Sequence, residues 1–105
     1  MSNKVFLGSE LKLNINIEPI DNTSMDDYDF TVDVYCSPQK SITVTKNDAI
    51  RIDENNYIIL VDTTQLGTGN IKCKVTAYIP DPDFKDQERT EVVCINTNIK
   101  IVEDY

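Results

Sequence analysis

Residues 11–17, LKLNINI, alternate without error: Leu11, Leu13, Ile15 and Ile17 on one face, Lys12, Asn14 and Asn16 on the other. Only extended backbone puts every second side chain on one side, so this spacing predicts a half-buried β-strand. The same period recurs along the chain. Phe30, Val32, Val34 and Cys36 share a face in YDFTVDVYC, Ile42 and Val44 in SITVTK, and Ile50 and Ile52 in AIRID. NIKCKVTAYI aligns Ile71, Cys73, Val75, Ala77 and Ile79, and TEVVCINTNIKIV aligns Val93, Ile95, Ile99 and Ile101. A further short strand is expected at residues 5–7. YIILVD is apolar on both faces, which suits a strand covered on both sides or one at an interface. No window holds a 3.6-residue period over the length of a helix.

The breaks carry turn chemistry. Pro19 and several Asx and Ser/Thr residues interrupt the first half, and Pro38 follows a strand. DENN at 53–56 reads as a hairpin, with asparagine tolerating positive φ. DTTQLGTGN fits one helical turn, capped by Asp62 or Thr63 and ended at Gly67. Seven or eight short strands at roughly ten-residue spacing predict an all-β, immunoglobulin-like antiparallel β-sandwich. It forms a single domain over residues 1–105, long enough to bury one core without a metal or disulfide staple. The antibody hallmarks are missing: there is no Trp, and no Tyr stands two residues before Cys73.

Eighteen acidic residues against ten basic ones give a net charge of −8. That field repels phosphate backbones and predicts no nucleic-acid binding, while favouring a basic partner surface. The residues at the N-terminus form no apolar run of signal-peptide length, and no segment has the ~20 apolar residues of a membrane span, so no membrane partner is expected. Three cysteines without CxxC spacing, Cys36, Cys73 and Cys94, are expected to be buried reduced thiols in a reducing cytoplasm.

No histidine is present, which removes Ser-His-Asp and Cys-His catalysis and most transition-metal sites. Lys72 and Lys74 flank Cys73 but point to the opposite face of its strand, so they do not activate it. LGTGN precedes a strand rather than a helix and so lacks the amide cradle of a phosphate loop. The stretch YIPDPDFKDQERTEV concentrates Asp81, Asp83, Asp86 and Glu88. Their spacing lacks the glycine and distal glutamate of an EF-hand, so a solvated loop is favoured over calcium. No catalytic residue, cofactor or metal is expected. Pro80 and Pro82 stiffen the loop, and Phe84 is its lone large apolar residue, serving either as an anchor or as a contact. The expected partner contacts are Asp81, Asp83, Phe84, Asp86 and Glu88 on this loop, with Tyr57 and Ile59 on the two-faced strand.

The run LGTGNIKCKVTAYIPDPDFKDQERTEV, with DDYDFTVDVY before it, resembles small β-sandwich proteins of tailed phages and prophages of gut Bacteroidetes, including the crAss-like phages. The resemblance covers roughly residues 5–102 and rests on overall pattern. It implies a non-enzymatic virion structural protein, made in the bacterial host cytoplasm and present in multiple copies per virion. The implied role is an auxiliary, or decoration, capsid protein bound to the major capsid protein or another virion protein; a fibre or tail attachment module is the alternative within the family. A carbohydrate-binding or adhesin module is the alternative outside it, with Tyr35 and Tyr78 as the aromatics that would stack sugars.

Overall fold

The computed structural model describes residues 3–18, 25–37 and 40–103; the turns expected at Pro19 and Pro38 lie outside them. Eight strands are present: β1 Asn3–Phe6, β2 Glu10–Asn16, β3 Asp29–Ser37, β4 Lys40–Thr45, β5 Ile50–Arg51, β6 Asn56–Asp62, β7 Gly69–Pro80 and β8 Glu88–Val102. They form a five-stranded sheet in the order β1-β8-β7-β3-β4 and a three-stranded sheet in the order β2-β6-β5. That is an immunoglobulin-like sandwich, and its helical content among the described residues is three short 3-10 turns.

One pairing departs from the antiparallel expectation. β1 runs parallel to β8, with Asn3 opposite Ile99 and Phe6 opposite Val102. A parallel pair needs a long connection, and these strands lie at opposite ends of the sequence. A tight turn then carries the chain across to β2 in the other sheet. Thr63 anchors that turn, its hydroxyl donating to the Ser9 carbonyl (2.8 Å) and accepting from the Gly8 amide (2.9 Å). Thr63 is fully buried, and both capacities of its hydroxyl are used.

The alternating residues meet between the sheets. Leu13, Ile15 and Ile17 from the β2 side pack with Phe30, Val32 and Val34 of β3, and with Ile71, Cys73, Val75, Ala77 and Ile79 of β7. From β6 come Tyr57, Ile59 and Val61. The Tyr57 ring meets Phe30 edge-on, with centroids 4.9 Å apart and planes at 70°. The expected helical turn is Thr63–Gln65, capped by the Asp62 carboxylate on the Thr64 amide and followed by Gly67 at φ 76°. Leu66 is buried directly after it.

Two irregularities interrupt the large sheet. Opposite Ile71, two steps along β7 from Asn70 to Lys72 correspond to four along β8 from Lys100 to Asn96. The two extra residues form a bulge where Asn98 takes φ 60° and the Thr97 hydroxyl donates to the Ile71 carbonyl (2.8 Å). Gly69, at φ 128°, lies so close to Cys36 that a Cβ there would stand 3.4 Å from the Cys36 Cβ.

Three local expectations are corrected. AIRID forms a strand only at Ile50–Arg51, and Ile50 and Ile52 are exposed, because the three-stranded sheet ends there with its outer face open. The turn at 53–56 uses no left-handed asparagine; instead the Asp53 carboxylate accepts from the backbone amides of Asn55 and Asn56. Cys94 is exposed, because its parity on β8 opposes that of Val93 and Ile95.

The 3-10 turn Met25–Asp27 is held from outside. Lys46 Nζ donates to the carbonyls of Met25 (2.8 Å), Asp26 (3.1 Å) and Tyr28 (2.6 Å). One ammonium thus binds three carbonyls of the turn, of which that of Met25 also accepts from the Tyr28 amide (3.3 Å). Lys46→Met keeps the aliphatic stem and removes the donors. Its expected effect is a loss of about 1.5–3 kcal/mol in urea unfolding, with an unchanged denaturant slope.

Candidate functional site

The acidic loop caps the long β7–β8 hairpin beyond Ile79. It closes on itself: the Asp81 amide donates to the Gln87 carbonyl (2.9 Å), Phe84 N–H to Asp81 C=O (3.2 Å), and Gln87 N–H to Phe84 C=O (2.8 Å). These bonds make two consecutive turns, 81–84 and 84–87, with Pro82 at the position of the first turn that favours a fixed φ. Gln87 takes φ 59° to bring the chain back into β8.

Asp81 holds this loop together. One carboxylate oxygen accepts from the Asp83 amide (3.0 Å) and the other from Arg89 Nη1 (2.8 Å). Arg89 also reaches Glu91 with Nη2 at 3.0 Å. Asp81, Arg89 and Glu91 side chains are largely shielded from water, so this is a structural ion network at the base of the loop. Asp81 therefore faces inward as an anchor, and the loop presents Asp83, Phe84, Asp86 and Glu88, which are exposed. Phe84 is 52% exposed and does not fold back as the loop's apolar anchor. No group of three or more metal-ligating side chains is gathered among the described residues.

The two-faced strand divides differently from its expected contacts. Tyr57 and Ile59 lie in the core, 2% and 0% exposed, so neither reaches a partner. The strand's outward side chains are Ile58 and Leu60. Ile58 sits between Asn14 of β2 and Ile50 of β5, and Leu60 beside Lys12. Ile50, Ile58 and Leu60 thus form a continuous apolar patch on the outer face of the small sheet, with Ile52 exposed at the end of β5. YIILVD already carried half of this signal in its unbroken apolar run. The contribution of AIRID was missed because its alternation reads the same whichever face is buried.

The outer face of the large sheet is polar. Asp33 accepts from the Thr43 hydroxyl (2.7 Å) and lies opposite Lys74. Tyr35 is opposite Lys72 and Tyr78 opposite Asp29, so the two tyrosines are six positions apart along the ladder, roughly 20 Å. They do not share one sugar-stacking platform.

Titratable groups follow the same division. The Arg51 guanidinium, bonded to Asp26 at 2.7 Å, holds that carboxyl below its ordinary range. Burial raises the Tyr57 phenol, with the Asp26 charge adding to the effect. Burial raises the Cys36 thiol and pushes Cys73 up to about 11. Comparisons with protein-family models, curated proteins and solved structures gave no match.

All three cysteines are free thiols in distinct settings. A thiol reagent is expected to modify Cys94 in the native protein, Cys36 more slowly, and Cys73 only after unfolding. Because the Cys73 thiol ionises less readily folded than unfolded, its stabilisation is complete below pH 9.0 and is lost as pH rises through about 11. Cys73→Ala should flatten that decline by on the order of 1–3 kcal/mol, read from unfolding curves across the window.

Proposed function

We propose that this chain is a non-enzymatic docking module: an auxiliary capsid protein on the shell of a tailed-phage virion, present in multiple copies. The observation that carries the docking reading is the apolar patch of exposed Ile50 and Leu60 around half-buried Ile58 on the small sheet. A chain of charge −8 has ample polar residues with which to cover a sheet face. A contiguous apolar patch left open on such a molecule fits a surface that is buried on assembly. The stiff loop adds an exposed aromatic, Phe84, beside Asp83 and Asp86, which suits a basic rim around an apolar contact. The virion assignment draws its support from the sequence resemblance described above.

A stable seat on a shell buries on the order of 1,200–2,000 Å² in total. Leu60→Lys places a charge in the patch and should lower incorporation into purified virions, quantified by mass spectrometry, by roughly tenfold or more. Asp83→Lys with Asp86→Lys should weaken incorporation and reduce its salt sensitivity, because both side chains are exposed and neither closes the loop. Virions that lack the protein altogether overturn the virion assignment. Unchanged incorporation of both variants overturns the surfaces named here.

A further inference from the structure

Among the described residues, the sandwich is open along one flank. β1 covers the outer edge of β8 only from Ile99 to Val102. Over residues 88–96, β8 is paired with β7 on one side, and no described strand lies on the other. β2 is likewise an outermost strand of its own sheet. The two edges border a groove. One part, about 210 Å³, is lined by Ile17, Glu18, Val75, Val93 and Ile95 with Asn16. A second part, about 310 Å³, continues past Ile95 to Leu13, Ile15 and Ile99.

The bare edge has the character of an unfilled strand position. Val92 and Val93 are 52% and 49% exposed, so the edge is apolar on both faces. Natural sheets protect such edges with lysines, prolines or bulges. Here the bulge lies only at the far end, beside Asn98.

We propose that this groove accepts an extended strand from another protein, added to β8 in line with β1 and parallel to β8, with basic residues at its N-terminal end and acidic residues at its C-terminal end. The direction follows from the ladder already present, since a strand lying along residues 88–96 in the direction of β1 keeps the parallel sense that β1 has opposite Ile99. The charge order follows from the rim. Glu18 and Glu88 stand toward the end where the occupant starts; Lys12 lies at the other end, as do Lys4 and Lys100, which are ladder partners. A nine-residue strand spans roughly 30 Å, enough to run along the bare edge over residues 88–96. Main-chain hydrogen bonds would supply affinity, and the groove would select alternate side chains. A second copy of this chain is disfavoured as the occupant by the net charge of −8 on each molecule. This surface is separate from the Ile50, Ile58 and Leu60 patch, so either can fail without the other.

Two synthetic peptides test the proposal with the full chain at low salt: Lys-Lys-Val-Thr-Val-Thr-Val-Glu-Glu and the charge-reversed Glu-Glu-Val-Thr-Val-Thr-Val-Lys-Lys. In the free protein, β7 holds alternate amides of β8, and the amides between them exchange rapidly. The first peptide should protect those remaining amides and bind about tenfold or more tighter than the second. Val93→Lys should weaken binding more than about tenfold by placing a charge in the groove. Glu18→Lys, at an exposed position, should narrow the preference between the peptides and serves as the second variant if Val93→Lys does not fold. Phe84→Ala should leave binding unchanged. No protection at millimolar peptide, equal binding of both peptides, or unchanged binding by both groove variants overturns the proposal. So does a dimer in sedimentation that Val93→Lys dissolves, because the occupant is then a second copy.

Discussion

The edge-to-face contact of Phe30 and Tyr57 joins two sheets of unequal width that share no covalent bridge. Such a contact contributes about 0.5–1.5 kcal/mol beyond the burial of the rings, and it also fixes how the rings interlock. Tyr57 cannot lie flat in the core, because its hydroxyl reaches toward Asp26 (3.4 Å), whose carboxylate is held by Arg51. Asp26 belongs to the 3-10 turn that Lys46 clamps. The orientation of the central aromatic therefore depends on a short turn, and that turn on Lys46, which opens the 3-10 turn linking β4 to β5. Cys73 contributes as a small hydrophobe: β2 offers Leu13 and Ile15 to the same core and no second thiol.

Ion pairs lie at the ends of the sandwich. At one end the Asp26, Arg51 and Lys46 bonds secure the turn before β3. The Asp81, Arg89 and Glu91 network secures the base of the β7–β8 loop. In both places a carboxylate that looks free in the sequence is occupied by the fold. An acidic run thus separates into one structural anchor, Asp81, and a set of solvent-facing charges, Asp83, Asp86 and Glu88. The difference matters for engineering: a change at Asp81 alters the loop itself, whereas changes at the others alter only what the loop presents.

The alternation made the sandwich legible. Ile71 through Ile79 on β7 and Phe30 through Val34 on β3 sit where period two places them, because a strand buried on one face has only one acceptable register. The capped turn at Asp62 was legible for a similar reason: a carboxylate before two threonines has few other local partners. Less was readable where two answers cost the same. Ile50 and Ile52 alternate like core residues, yet the end of a small sheet has no layer to cover them. The parallel docking of β1 depends on a contact between the two ends of the chain, which no local pattern encodes. An apolar run does not reveal which parity points inward, so YIILVD offers Tyr57 and Ile59 as contacts as readily as Ile58 and Leu60. The neighbouring Asn14 and Lys12, opposite Ile58 and Leu60, mark the outer side only once the pairing is known.

The bulge opposite Ile71 adds two residues to β8, and that number has a consequence for how the hairpin can vary in length. Cross-strand partners share a face, and the ladder holds its pairs on both sides of the insertion, Cys73 with Ile95 before it and Gly69 with Ile101 after it. Ile95 and Ile101 therefore both face the core across the extra residues. The bulge is where this hairpin can change length without turning over. Loss of Asn98 alone would leave a one-residue bulge, and loss of Thr97 and Asn98 together a regular ladder; in both cases Ile101 stays inside.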